Sequence, residues 1–286
     1  SMFCSRKGKR MILNTQIVRE YLRGDNLARH RGDWVYQNFE NVQSRDGSMF
    51  TEPDSSDDRK QEVKKVLNVL EGVAGSFEPL NPDVWNTVFP EWRSTIHSVS
   101  TDLIVGFPEP YDAVAKYDPE GNAHVIFDLC CWTRYLKSCN IEKLAKGLLT
   151  HELFHVLIAD RYPELREDGN EKNYLTALDA VTFNEGFAHL VSYENQAISA
   201  TDWNSEKMQK VWEKSILQLK DAAACKIPGQ QRRYLFHANC GKYYEKFGAM
   251  AGMLWLAHIW EREGTAGLKR VMDDGYEGFV GKCCES

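Results

Sequence analysis

With 286 residues, 43% hydrophobic and 27% charged, the chain has the composition of a folded protein with room for one large domain or two modest ones, and global disorder is excluded. A formal charge of −6 and a pI near 5.8 argue against nucleic acid and against anionic membrane surfaces as partners. No apolar run reaches the ~20 residues of a membrane span; the longest, Gly248 to Trp260, is interrupted by His258 and reads as a buried helix.

In chain order, short helical patterns fall near Asn14–Leu22 and Trp34–Val42, followed by a polar loop from Ser44 to Lys60. Val63, Val66, Leu67 and Leu70 recur at spacings of three and four, the period of a helix with one apolar face. Asn81-Pro82-Asp83 offers a cap, a proline at the first helical position and an early acid, which predicts a short helix through Trp92. From Ser98 the period changes to that of strands. Leu103–Val105 is one short run, and Ala113–Tyr117 and Ala123–Leu129 flank the turn Asp118-Pro119-Glu120-Gly121-Asn122 as a hairpin. Beyond Asn140, which is placed to cap, helices are expected over Ile141 to about Asp160, then roughly 174–198, 203–224, 240–262 and 265–273. A small sheet followed by many helices is an α+β arrangement, predominantly helical. The expected division is a helical N-terminal region over 1–95, with no role assigned, and a catalytic region over 96–286.

Eight cysteines include no Cys-x-x-Cys pair, which speaks against a zinc ribbon and leaves thiols and disulfides both open. A leader removed ahead of Ser1-Met2 is compatible with the sequence, so secreted and cytoplasmic locations both stay open.

The chemistry-bearing stretch is His151-Glu152-Leu153-Phe154-His155. Residues four apart share a helix face, so both imidazoles reach one zinc ion at ~2.0–2.1 Å while Glu152 lies beside it. A chance His-Glu-x-x-His is expected in roughly one chain in fifty of this composition. The plain alternative, two surface histidines, fits poorly with Leu148, Leu149, Leu153, Phe154, Val156, Leu157 and Ile158 around them. Such a helix is buried, and its polar groups need partners that a metal supplies. A third ligand is required, and Glu185 in Asn184-Glu185-Gly186-Phe187-Ala188 is the best placed. It follows a turn and a return helix, and Gly186 would let two helix backbones approach closely.

These two segments together resemble the gluzincin clan of zinc metallopeptidases, and the string around Glu185 is similar to that of the aminopeptidase N family. The resemblance covers about 50 residues tightly. It implies a zincin-like domain with a small sheet ahead of the zinc helix, one zinc ion held by His151, His155 and Glu185, and Glu152 as general base acting on a metal-activated water. The 29 residues between His155 and Glu185 exceed the usual gap, and no Gly-x-Met-x-Asn segment lies upstream. Where thermolysin-like relatives place an Asp four residues past the third ligand, His189 stands, an outer-shell donor or a core histidine; Asp179 is a weaker outer-shell candidate. Tyr243-Tyr244-Glu245-Lys246-Phe247-Gly248 resembles the aminopeptidase Tyr-Glu-Lys-Gly segment with one residue inserted. Tyr244, then Tyr243, then His237 are the candidates for oxyanion stabilisation. The edge of the strand 123–129 would hold an extended peptide by backbone hydrogen bonds.

The expected function is zinc-dependent hydrolysis of peptide bonds in a peptide or protein substrate, by a chain acting as a monomer. The alternatives are a zinc hydrolase of another amide or an ester, and a zinc-binding module without catalysis. A cysteine hydrolase using Cys130 or Cys131 with His124 is disfavoured, because strand-borne cysteines without a helix N-terminus make poor activated thiolates.

Overall fold

Strands far apart in sequence build the sheet. The computed structural model describes residues 11–37, 49–166 and 173–285. In it β1 (Ile12–Asn14), β2 (Ser100–Ile104), β3 (Ala113–Tyr117) and β4 (Ala123–Asp128) form one sheet in the order β1-β2-β4-β3. β1 and β4 each run parallel to β2, and the expected β3–β4 hairpin is antiparallel, with Ala113 opposite Phe127 and Tyr117 opposite Ala123. The Asp118 carboxylate closes the hairpin turn by accepting from the Glu120 and Asn122 N–H groups. One expectation fails here. The strand 123–129 is not an edge, because β4 is paired on both sides, and Leu129 already belongs to the following helix. The parallel partner Ser100–Ile104 lies about twenty residues upstream, beyond the reach of local hairpin reasoning.

The rest is helical, so the fold is α+β and predominantly helical: α1 (Gln16–Arg23), α2 (Asp57–Gly75), α3 (Pro82–Val88), α4 (Trp92–Ile96), α5 (Leu129–Trp132), α6 (Ile141–Arg161), α7 (Tyr174–Ser192), α8 (Glu206–Ala224), α9 (Pro228–Asn239), α10 (Phe247–Asp274) and α11 (Phe279–Cys284). α2 starts at Ser56, whose hydroxyl accepts from the Arg59 N–H, and buries the anticipated Val63, Val66, Leu67 and Leu70. The helix expected to run through Trp92 is split, α3 ending before Phe89-Pro90 and α4 starting after it, because Pro90 has no N–H to continue the ladder. Asn81 does not cap α3 through its side chain. It adopts a left-handed conformation (φ 57°), donates to the Val191 carbonyl at 3.0 Å and accepts from the Ile198 N–H at 2.9 Å. Asn140 does cap α6, accepting from the Lys143 N–H at 3.1 Å. α9 lies where no helix was expected; Ala238 is its one buried residue, so it shows no apolar period. α10 begins later than expected, at Phe247, and Gly264 (φ 65°) interrupts it close to the anticipated break. The expected pattern over 38–42 and residues 44–48 of the polar loop lie outside the described residues. The seven described cysteines are all free thiols.

The chain divides into two compact units, residues 1–78 with 93–149, and residues 79–92 with 150–286. The first contains the sheet, with Val125, Ile126 and Phe127 buried along β4. The second has an aromatic core in which Phe154 meets Trp85 (ring centroids 5.4 Å) and Phe187 (6.0 Å), while Phe183 meets Phe187 (5.0 Å) and Phe279 (5.3 Å). No helix among the described residues is long and apolar enough to cross a membrane.

Candidate metal centre

His151, Glu152 and His155 lie on the second half of α6, and Glu185 and His189 on α7. α7 starts at Asn173, whose side chain accepts from the Thr176 N–H at 2.9 Å. The stacked rings of Phe154 and Phe187 clamp the two helices together one residue away from Glu152's neighbour Leu153 and two residues past Glu185. The small residue Gly186 does allow a close approach, but toward α10 rather than α6. A Cβ there would come within 2.8 Å of the Gly252 backbone, and a Cβ at Gly252 within 2.3 Å of the Thr182 carbonyl oxygen. Close contact on that side sets the depth at which α7 lies and so the position of Glu185.

Hydrogen bonds assign the tautomers. The Ser192 hydroxyl donates its single proton to the Ala188 carbonyl at 2.7 Å, so toward His151 Nδ1, 3.1 Å away, it acts as acceptor. His155 Nδ1 donates to Asn184 Oδ1 at 2.7 Å. Both rings therefore spend their Nδ1–H outward and aim Nε2 inward, where it offers a lone pair whenever the ring is neutral. The two Nε2 atoms are 3.1 Å apart, and Glu185 Oε2 lies 3.7 Å from the first and 3.5 Å from the second. Tetrahedral ligands at ~2.0–2.1 Å from zinc stand ~3.3–3.4 Å from each other. The observed sides of 3.1, 3.5 and 3.7 Å bracket that value. Two such nitrogens and a carboxylate oxygen facing one another need a proton or a metal cation between them, and two imidazole nitrogens with one carboxylate are a donor set that suits zinc. A second grouping, His151, Glu185 and His189, also places one ligand atom each within 4.8 Å of the others.

Electrostatics agree with that demand for positive charge. Burial, then the His155 and His189 charges, push His151 well down. At His155 burial opposes protonation, yet the charge and hydrogen bond of Glu185 prevail and raise it to about 9. Burial likewise works against the Glu185 carboxylate, but His155 holds it well below the usual range. Glu152 moves the other way: burial raises it.

His189 is buried, donates from Nδ1 to the Glu185 carbonyl at 2.8 Å and has that nitrogen 3.4 Å from Glu185 Oε2. Its ring lies 4.8 Å from that of His151 and 5.5 Å from that of Tyr243. The Tyr244 hydroxyl is otherwise engaged, 2.8 Å from the Tyr193 hydroxyl and accepting from Lys207 at 2.8 Å. His237 lies on the exposed side of α9 with its ring against Phe236. The structure thus brings His151, His155, Glu185, His189 and Tyr243 together, while Tyr244 and His237 face other partners. The Asp179 carboxylate accepts from the Gly278 and Val280 N–H groups at the start of α11, so it is not free to steady a ligand histidine. Sequence reasoning missed Asn184 and Ser192, the acceptors that orient the two imidazoles. Ser192 lies seven residues past Glu185, two helical turns along the same face, which is the signal that could have found it.

In the first unit, Cys130 and Cys131 lie on the first turn of α5 rather than on a strand as expected, yet burial, reinforced by the charge of Asp128, raises both thiols, Cys130 to about 12. Neither is an activated nucleophile. His124 is held between the carboxylates of Asp102 and Asp118.

A family model described as "Putative zinc dependent peptidase (DUF5700)" matches residues 48–282, well over half of the chain. No curated protein and no solved structure was found to match.

Proposed function

Since the chain belongs to the zinc-dependent peptidase family whose model spans residues 48–282, we propose that it hydrolyses peptide bonds as a gluzincin-type enzyme, with one zinc ion held by His151, His155 and Glu185. The observation that carries this reading is the convergence of two Nε2 lone pairs and one carboxylate oxygen on a triangle of 3.1, 3.5 and 3.7 Å. When bound, zinc supplies Lewis acidity, polarising a carbonyl and acidifying water. Glu152 takes the proton of the attacking water at its carboxylate and delivers it to the leaving amine nitrogen. Its burial supports that role, because a carboxylate raised from its ordinary value is a stronger acceptor near neutrality. The hydroxyl of Tyr243 donates to the developing oxyanion. The choice of Tyr243 rests on its ring beside His189, against a Tyr244 hydroxyl already engaged by Tyr193 and Lys207. Asn184 and Ser192 keep the two imidazoles in the tautomer that presents Nε2.

The experiment is a peptide-library digest of the native protein beside Glu152→Gln, with the zinc content of both measured. The native protein is expected to cleave; the variant is expected to keep its zinc and lose about 10²–10⁴-fold in turnover, the usual size of a general-base contribution. Equal turnover in the two would overturn the role of Glu152.

A further inference from the structure

Residues 28–37 carry two short 3₁₀ turns, Ala28–Gly32 and Trp34–Tyr36. Two histidines, each set between a pair of carboxylates, tie them into the first unit. His30 is buried, with Nε2 2.5 Å from Glu20 Oε2 on α1 and Nδ1 2.5 Å from Asp33 Oδ2. Arg29 closes that group by pairing with Glu20 Oε1 at 2.7 Å. His124 on β4 repeats the pattern. Its Nδ1 meets the buried carboxylate of Asp102 on β2, and its Nε2 lies 3.0 Å from Asp118 Oδ2 in the hairpin turn. The Trp34 ring packs against this imidazole with 4.5 Å between centres, so any turn of the His124 ring is felt by residues 28–37. Lys116 on β3 completes the attachment, donating to the Trp34 carbonyl at 3.0 Å and to the Gln37 carbonyl at 2.7 Å.

A carboxylate oxygen only accepts, so a ring whose two nitrogens both face carboxylates needs two N–H groups and is an imidazolium. Loss of one ring proton sets a lone pair against a carboxylate and leaves an excess negative charge where water has little access, which is unfavourable. We propose that residues 28–37 form a pH-sensitive strap, held on α1 and the sheet while His30 and His124 carry both ring protons and released when they lose one. The electrostatics point the same way. At both rings burial opposes protonation, but the carboxylates prevail, Glu20 and Asp33 at His30 and Asp102 and Asp118 at His124, and both rings are raised above 6.5. The contribution of a raised imidazole is complete below its ordinary value and is lost as pH rises through the folded one. Lys116 is the third titrating group on the strap, and burial pulls it down to about 8.

Rings and strap can be followed in the same sample. NMR titration of the two ring signals, assigned with His30→Gln and His124→Gln, is read beside the hydrogen-exchange protection, corrected for intrinsic pH dependence, of the His30, Asp33 and Tyr36 amides. These donate to the Leu27, His30 and Asp33 carbonyls at 2.9, 2.8 and 3.0 Å. In the native protein both rings are expected to titrate above 6.5. Over the same range the three amides should lose about tenfold or more in protection, the scale of one hydrogen bond to a charged group, while the amides of α2 keep theirs. Each Gln variant lacks one titrating proton, and should be less protected there at pH 6 and show a smaller fall up to pH 9. Ring titration at or below 6.5, or a loss that α2 shares equally, overturns the proposal. A loss centred near 8 that persists undiminished in both Gln variants also overturns it, making Lys116 the fastening instead of the imidazoles. Should a variant fail to fold, the native protein still decides, because strap protection that stays constant while the rings deprotonate refutes the link.

Discussion

At His151 and His155 the ring nitrogen that points away from the cluster does as much as the one that points in. Ser192 and Asn184 each accept an Nδ1–H, which leaves each Nε2 aimed at its counterpart 3.1 Å away. The same distinction between engaged and available groups ranks the two adjacent tyrosines. Tyr243→Phe is expected to lower kcat by about 10²–10³-fold, the usual loss when one oxyanion donor is removed, with KM little altered. Tyr244→Phe removes a hydroxyl bonded to Tyr193 and Lys207 and should act mainly on the local packing of that turn. Steady-state kinetics on both variants check this, and the opposite ranking would give the role to Tyr244.

Among the elements, α7 carries Glu185 and is located by its contact with α10, where two glycines face each other. A methyl group at Gly252 would meet the Thr182 carbonyl oxygen at 2.3 Å, a backbone atom with no side-chain freedom to yield. Gly252→Ala is therefore expected to destabilise the protein by about 3 kcal/mol, at the upper end for overpacking, and to weaken zinc retention as Glu185 is displaced. Denaturant unfolding checks the first part, and a stability within 0.5 kcal/mol of the native protein, roughly the level of a neutral surface change, would contradict it. The reach of sequence reading follows from the same physics. The shared face of His151 and His155 was legible because a helix repeats every 3.6 residues, and the hairpin because Asp118 to Asn122 is turn chemistry within a few residues. The interior position of β4 was hidden because its parallel partner, β2, is brought in only by tertiary folding. The same holds for the partner of Gly186, which is Gly252 on α10, sixty-six residues onward. α9 escaped notice since a helix that buries little carries no apolar period. The order of the two tyrosines depends on how the turn Tyr243–Glu245 is oriented by Tyr193 and Lys207, which no spacing along the chain encodes.

For the molecule as a whole, the two compact units carry different liabilities. All the proposed site residues belong to the second unit, residues 79–92 and 150–286. In the first, Glu20 is lowered from 4.5 to about 2 by its hydrogen bonds with Arg29 and His30. Asp118 is lowered from 3.8 to about 2, the Asn122 N–H and His124 outweighing the opposing effect of burial. A carboxylate with a lowered folded-state pKa contributes stability above its unfolded value and loses it as pH falls through the folded one. The native protein should therefore lose stability between about 4.5 and about 2, and Glu20→Gln should lower stability at neutral pH while flattening that acid loss. Unfolding curves at pH 7 and pH 3 test this, and an identical acid loss in both proteins would remove Glu20 from the explanation. The second unit should respond to metal instead. Zinc bound only by the folded state stabilises it by mass action, about 2.7 kcal/mol at a hundredfold excess over Kd. The most direct test is zinc-edge X-ray absorption on the zinc-loaded native protein. Two imidazole nitrogens and one carboxylate oxygen, reduced to two imidazoles without that oxygen in Glu185→Ala, is the expected result. A coordination shell with three imidazoles, or one that Glu185→Ala leaves unaltered, would contradict a centre built from His151, His155 and Glu185.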